Sequence, residues 1–164
     1  MMSTSSTRYH PNLSPQALGY WFEDQVRDTL KEIQMTKPSM FHRFTDSKAA
    51  KTIVAAQPGD HMLLLPNGAI LIEEKASTKH ESFSSCLTMI ENKQIAFHRK
   101  WHRAGHPSIV IFYSDLTDRI EIWDGKLVAK HRIAGKRMGI HDNPIVVCDL
   151  RTLTDTLYKS CATL

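Results

Sequence analysis

The segment SIVIFYS, residues 108–114, limits the possible folds more than any other part of the chain. Its five central residues are apolar or aromatic, and polar side chains stand only at the two ends. A half-buried strand would alternate polar and apolar residues, so this strand is expected to be central and covered on both faces. We therefore predict an α/β fold, a mixed β-sheet flanked by helices.

The remaining elements are predicted from apolar spacing and turn residues. Ser14 and Pro15 mark a helix start, and an amphipathic helix is expected from Pro15 to about Ile33. A hairpin with strands 62–65 and 69–75 should turn at Asn67-Gly68, with positive φ angles at both residues. The other predicted elements are a strand in MFHRF, a helix from about Ser84 to Arg103, the strand 108–114, a second hairpin in RIEIWDGKLVAKHR turning at Asp124-Gly125, a strand in PIVVCDL and a short C-terminal helix.

Length and composition are those of one globular domain. The chain has 164 residues, 41% hydrophobic and 23% charged, with a formal net charge of +4 that suits a polyanionic partner. Residues 1–13 are expected to be a flexible tail and residues 14–164 a single domain. No signal peptide or membrane span is predicted, and three widely spaced cysteines favour reduced thiols. We expect a cytoplasmic protein with no membrane partner (in the host cytoplasm, if a phage encodes it).

The hairpin PGDHMLLLPNGAILIEEKAS, residues 58–77, carries charges at one end of two apolar strands. With the turn near Asn67, Asp60 comes opposite the Glu73–Glu74 region. Because strand side chains alternate between faces, Glu73 and Lys75 share one face and Glu74 takes the other. Asp60, Glu73 and Lys75 are thus predicted to converge at one end of the hairpin.

Such a cluster needs compensation. Two carboxylates about 4 Å apart repel by roughly 4 kcal/mol at an effective dielectric constant of 20. Lys75 offsets part of this repulsion, and a divalent cation would offset more; ligands that are all oxygens suit Mg²⁺ or Mn²⁺. The alternative is an ordinary ion pair, since Glu-x-Lys is a frequent tripeptide. The chain has a second one, Glu91-Asn92-Lys93, which we expect to be a solvated pair in the middle of a helix.

Asp60 followed by Glu73-x-Lys75 on a hairpin resembles the core of the PD-(D/E)xK nuclease superfamily. The narrower pattern, from about Gly19 to Tyr113, is similar to the archaeal Hjc and bacterial RecU Holliday junction resolvases. In those families a first-helix glutamate follows a glycine, as Glu23 follows Gly19 here, and a glutamine such as Gln94 lies on the helix after the Glu-x-Lys strand. Two departures are Gly59 in place of the family's proline and the polar His61 in place of an apolar residue.

The resemblance implies a restriction-endonuclease-like core and a role for each residue. Glu23, Asp60 and Glu73 would hold one or two Mg²⁺ or Mn²⁺ ions, with the backbone carbonyl of Glu74 as a further ligand. Lys75 would orient the attacking water or neutralise charge on the phosphate, and Gln94 would position Lys75 or the water. The alternatives are a solvent-facing glutamate for Glu23 and, for Gln94, a glutamine bonded to a strand carbonyl inside the core.

Basic residues near this site are the candidates for contacts to the phosphate backbone. They are Arg99, Lys100 and Arg103 in HRKWHRAGH, Lys48 and Lys51 in TDSKAAK, and Arg8 in the tail. The alternative is a solvated basic face. His98 and His102 are four residues apart, but no glutamate follows His98 as a metalloprotease motif requires, so a zinc site is not expected.

The leading functional hypothesis is a divalent-metal-dependent endonuclease that resolves four-way DNA junctions by paired symmetric nicks, which implies a homodimer. Ile120, Ile122 and Trp123 could form the dimer surface, although core packing is the simpler role. One alternative is another nuclease of the superfamily, of the restriction, repair or nicking type. The other is a non-catalytic DNA-binding protein or scaffold on the same fold.

Overall fold

The computed structural model describes residues 12–45, 57–135 and 142–164. One six-stranded sheet carries the strands in chain order, antiparallel throughout except for the parallel pair β3–β4. The strands are β1 Met40–Arg43, β2 His61–Leu65, β3 Gly68–Ser77, β4 Ser108–Ser114, β5 Arg119–Asp124 and β6 Val146–Cys148. The helices are α1 Pro15–Thr36, α2 Asn92–Arg103, α3 Gly125–Ala134 and α4 Leu153–Ala162.

Strand β4 is buried along its whole length, as its composition predicts. Ile109 and Ile111 face the core that includes residues of α1 and α4, whereas Val110 and Phe112 face the core that includes residues of α2 and α3. The predicted mixed sheet with helices on both faces is thereby confirmed. No helix in the described ranges is long and apolar enough to cross a membrane.

The predicted β2–β3 hairpin is present, and its register determines which residues meet at its open end. Leu65 pairs with Gly68 across a two-residue turn, and His61 pairs with Ile72. Gly68 has a φ of 141°, while Asp118 is the only non-glycine residue in the described ranges with a positive φ. The turn therefore needs a positive φ at Gly68 alone, and the prediction of a positive φ at Asn67 is wrong.

The second helix begins later than predicted. Residues 83–85 and 87–89 form two short 3₁₀ turns, and α2 starts only at Asn92. Glu91 is the N-cap residue, and the Gln94 side chain accepts a hydrogen bond from the Glu91 backbone N–H at 2.9 Å. This capping box ends the irregular segment and starts the helix. Glu91 and Lys93 form the expected solvated ion pair, but at the helix start and not in its middle.

The second predicted hairpin is wrong, because the chain continues from β5 directly into helix α3. Asp124 caps this helix: its side chain accepts a hydrogen bond from the Lys126 backbone N–H at 2.9 Å. Asp-Gly is a common hairpin turn, but aspartate is equally a common helix N-cap. Ile120, Ile122 and Trp123 are buried in the two cores, so they pack inside the domain and do not form a dimer surface.

Gly125 allows α3 to approach β4 closely. A Cβ atom on Gly125 would lie 2.1 Å from Ser108 Oγ and 2.8 Å from His98 Nδ1, both of them on buried side chains. Gly125→Ala is therefore expected to lower the free energy of unfolding by about 1–3 kcal/mol, the usual cost of overpacking. Urea denaturation would measure the loss. Gly19→Ala is the control, because a Cβ there meets no atom within 4 Å and should stabilise the helix.

Candidate active site

Asp60 lies directly beside the acidic end of β3, as predicted. The Asp60 backbone N–H donates to the carbonyl of Ile72 at 3.0 Å, and the carboxylate Oδ2 accepts the backbone N–H of Glu74 at 2.7 Å. A Cβ on Gly59 would come within 2.9 Å of the Leu71 side chain and 3.0 Å of the Ile72 carbonyl. A side chain at position 59, just before β2, would press on the Leu71 side chain and on the backbone of β3, so glycine suits this position.

Glu73 is fully buried and collects the polar groups of the site on one carboxylate oxygen. Lys75 Nζ lies 2.7 Å from Glu73 Oε1, and the Gln94 side-chain amide donates a hydrogen bond to the same oxygen. Glu73 and Lys75 of the predicted cluster therefore meet, and Gln94 lies beside them as the resemblance implies. The second oxygen, Oε2, is buried and has no hydrogen-bond partner among the described residues. A side-chain hydrogen bond with Asp60 favours the protonated form of Glu73. Once that proton is lost, an Oε2 atom that no donor reaches can accept a ligand.

The pKa of Glu73 is raised to about 8, mainly by burial. The neighbouring Asp60 raises this pKa further, whereas Lys75 lowers it. Burial alone would lower the pKa of Lys75, but Glu73 and Asp60 outweigh this effect and raise it. Lys75 is therefore positively charged at neutral pH. A cation beside Oε2 would favour the ionised form of Glu73, which the protein alone disfavours at pH 7.

The pKa of Glu73 has a consequence for stability in metal-free buffer. From its unfolded value of 4.5 up to about 8, the folded state holds a proton that the unfolded state has lost, so stability falls as pH rises. Burial lowers the pKa values of His61 and His98 from 6.5 to about 4. These two histidines therefore make stability rise with pH, but only below pH 6.5.

Between pH 6.5 and 8, the melting temperature of the wild-type protein in EDTA is thus expected to decrease, and Glu73→Gln should decrease less. The pKa of Glu74 is also raised, mainly by burial, so part of the fall should remain in Glu73→Gln. Glu91→Gln, at the exposed Glu-x-Lys pair, is the control and should keep the wild-type slope. An unchanged slope in Glu73→Gln would contradict the raised pKa.

His61 and Glu74 form a buried pair next to the site. This pair was not predicted from the sequence. His61 Nδ1 and Glu74 Oε1 are 2.6 Å apart, and neither side chain is more than 3% exposed. Burial lowers the pKa of His61 to about 4 and, as the first of several causes, raises the pKa of Glu74. The signal was present in the register, because two polar side chains sit near each other on the same face of neighbouring strands. Each polar side chain is buried because the other is its partner.

Glu23 reaches the same end of the sheet, where it lines a cleft of about 500 Å³ together with Asp60, Glu74 and Lys75. Its partner, Arg43, was not predicted: the Arg43 Nη2 and Nε atoms contact Glu23 Oε1 at 2.8 and 3.1 Å. Arg43 ends strand β1, which pairs with β2 and so lies next to the site. Both contacts go to one carboxylate oxygen, and Oε2 of Glu23 takes no part in this ion pair.

The residues present fit a magnesium-type ion. Within residues 12–45, 57–135 and 142–164, no group of three or more His, Cys, Asp or Glu side chains is arranged to hold a metal. Mg²⁺ does not require such a cage, because it keeps several waters and is often bound by one or two carboxylates plus substrate phosphates. Asp60 and the unpartnered Oε2 of Glu73 provide that minimal set of hard oxygen donors.

The predicted phosphate contacts divide into two groups. Arg99, Lys100 and Arg103 are exposed on α2, whereas Arg8, Lys48 and Lys51 lie outside the described residues. Two histidines of the same helix have internal partners instead. His98 Nδ1 and His102 Nε2 lie 2.7 and 3.3 Å from Ser108 Oγ. This pairing explains their spacing without a metal.

Comparison with known proteins does not assign the chain to a family. No protein-family model matches the chain, and no curated protein matches it.

Proposed function

We propose that this chain is a divalent-metal-dependent DNA endonuclease with a restriction-endonuclease-like core, acting on four-way junctions as a homodimer. One observation carries the nuclease proposal: Lys75 and Gln94 contact one oxygen of the buried Glu73, no donor reaches its other oxygen, and the Asp60 carboxylate interacts with the same side chain. An acid–acid–lysine set of this kind at a sheet end suits phosphodiester hydrolysis, which needs a metal, oriented water and neutralisation of phosphate charge.

Each residue has a definable task. Mg²⁺ or Mn²⁺ held by Asp60 and Glu73 would polarise the scissile phosphate and make water acidic enough to attack near neutral pH. Lys75 carries a positive charge to where negative charge develops on phosphorus. Gln94 holds the Glu73 carboxylate in place and ties it to the start of α2 through the Glu91 N–H. Glu23 is a further oxygen donor, and the Glu74 carbonyl is a ligand that the resemblance suggests.

The choice of four-way junctions rests on the resemblance to resolvases, and the exposed cations of α2 support a nucleic-acid partner. Two symmetric cuts require two copies of the site, hence the homodimer. Another nuclease of the same superfamily would use the same residues on linear duplex. The two substrates therefore separate the resolvase from its nearest alternative.

The test compares a labelled four-way junction and a linear duplex of the same sequence, each with Mg²⁺, with Mn²⁺ and with EDTA. Paired nicks in the junction alone, lost in EDTA, are expected. Equal cutting of both substrates would keep the nuclease and overturn junction selectivity. No cutting of either substrate in Mg²⁺ or Mn²⁺ would contradict the nuclease proposal.

A non-catalytic DNA-binding protein is the second candidate, because Glu73 already has Lys75 and Gln94 as partners without a metal. Thermal denaturation distinguishes the two. A ligand that binds only the folded state raises the melting temperature. The nuclease should be stabilised by Mg²⁺, and more at pH 8 than at pH 6.5, because the metal competes with the proton on Glu73. A scaffold should show no shift with Mg²⁺ at either pH.

A further inference from the structure

Helix α1 lines the catalytic cleft with its first residue, Pro15, and with four further residues whose spacing is i, i+3, i+4 and i+7, a single helical stripe. They are Gln16, Gly19, Tyr20 and Glu23. The same cleft is lined by Asp60 and Lys75. The stripe therefore shares the cleft with the groups proposed to cut DNA, and only Glu23 among its members has been given a role above.

Tyr20 is the large aromatic side chain of this wall, and it is 55% exposed. The next two residues along the helix are aromatic as well, but they pack inside: the rings of Trp21 and Phe22 lie 5.2 and 5.4 Å from the ring of Tyr113. Packing of the domain thus accounts for Trp21 and Phe22, whereas Tyr20 is exposed and lines the cleft.

Gly19 leaves open space on the same cleft wall. Apart from its two chain neighbours and the backbone of its own helix, a Cβ atom at this position would meet no atom within 4 Å, so close packing does not require glycine here. Glycine inside a helix is unfavourable compared with alanine. Its missing side chain leaves room in the cleft one turn before Glu23.

We propose that the Tyr20 ring and the space at Gly19 form a nucleobase-stacking subsite beside the scissile phosphate. The proposal deepens the proposed function and rests on it. Every base has a π-face that can stack on an aromatic ring, so such a contact tolerates any sequence. Tyr20 and Glu23 are three residues apart, a rise of about 4.5 Å along the helix, so the stacked base belongs to a nucleotide adjacent to the cut.

Charge supports a base over a phosphate on this wall. Gln16 and Tyr20 are uncharged, and Glu23 is an acid already paired with Arg43. A phosphate would gain no cation from the stripe itself, whose one charged member is an acid with its charge offset by Arg43. An unstacked base, of the kind that a branch point can supply, brings apolar surface and no charge.

The test measures binding in EDTA to two four-way junctions, one intact and one with abasic sites at the branch-point nucleotides. Tyr20→Ala is expected to weaken binding of the intact junction by about 5- to 150-fold, the usual effect of losing one stacked base. Tyr20→Phe keeps the ring and should bind like the wild-type protein. On the abasic junction, which has the same charge, all three proteins should bind equally.

Steric blocking gives an independent test in a folded protein. Gly19→Leu should fill the open space at this position of the cleft wall and weaken binding of the intact junction, while its melting temperature stays at or above that of the wild-type protein. Gly19→Ala should leave binding unchanged.

Three results would overturn the subsite: equal binding by Tyr20→Ala and the wild-type protein, equal loss in Tyr20→Ala and Tyr20→Phe, or an equal loss on the abasic junction. If the protein cuts junctions but Tyr20→Ala behaves like wild type, the subsite fails and the nuclease stands. If the protein cuts no DNA but shows the base-dependent loss, the nuclease fails and the subsite stands. Absence of any junction binding would overturn both.

Discussion

Asp60→Asn should abolish cleavage of DNA while leaving junction binding intact or tighter. Asparagine keeps an oxygen that can accept the Glu74 backbone N–H, which Asp60 Oδ2 now accepts at 2.7 Å, so the hairpin should stay folded. The lost group is the negative charge that a metal needs. Mutation of a group that only supports a metal ligand typically lowers activity by ~10–100-fold. Asp60 is proposed as a ligand itself, so we expect a larger fall in the cleavage rate.

Binding should survive this change because a carboxylate beside the DNA repels phosphate, and its removal relieves that repulsion. Single-turnover cleavage in Mg²⁺ and fluorescence anisotropy in EDTA would measure the two effects separately. Asp28→Asn is a matched control, since Asp28 is exposed on α1 in an ion pair with Lys31. Full cleavage by Asp60→Asn would show that the assigned site is wrong.

Lys75→Ala should cut poorly at every Mg²⁺ concentration. It removes the positive charge aimed at the phosphate, and loss of one such stabilising group typically costs about 10²–10³-fold in rate. It also removes the cation 2.7 Å from Glu73, so the pKa of Glu73 should rise further and the metal should bind more weakly at neutral pH. Excess Mg²⁺ should correct the binding defect but not the lost charge.

The second Glu-x-Lys pair of the chain provides the control for Lys75. Lys93 Nζ lies 3.1 Å from Glu91, with both side chains more than 60% exposed, whereas the Glu73 side chain is fully buried. Lys93→Ala should therefore cleave at the wild-type rate. A Mg²⁺ titration of both variants measures the comparison. Wild-type cleavage by Lys75→Ala at saturating Mg²⁺ would rule out its role at the phosphate.

The acidic end of the hairpin was predictable because it depends on local rules. Alternation along β3 places Glu73 and Lys75 on one face, and a short turn then brings Asp60 opposite them. Gln94 was predicted beside the site from the resemblance and from its spacing on α2. The predicted start of this helix was wrong, because Glu91 and Gln94 form a capping box that apolar periodicity alone does not reveal.

The pairs that complete the site were not predictable in the same way. Arg43 and Glu23 are twenty residues apart, and they meet only because β1 pairs with β2 beside α1. The Asp124-Gly125 step was misread because aspartate suits both a turn and a helix cap, and the outcome depends on packing against Ser108.

The sequence by itself determined the elements whose pattern repeats locally: the buried strand β4, the β2–β3 hairpin and the meeting of Asp60, Glu73 and Lys75. Tertiary structure alone decided the protonation of the site and the partners of Glu23 and Glu74. Burial, which raises the pKa of Glu73 to about 8, depends on every element packed around that carboxyl. Side-chain alternation passes from one residue to the next along the chain, whereas desolvation and ion pairing depend on distances in space.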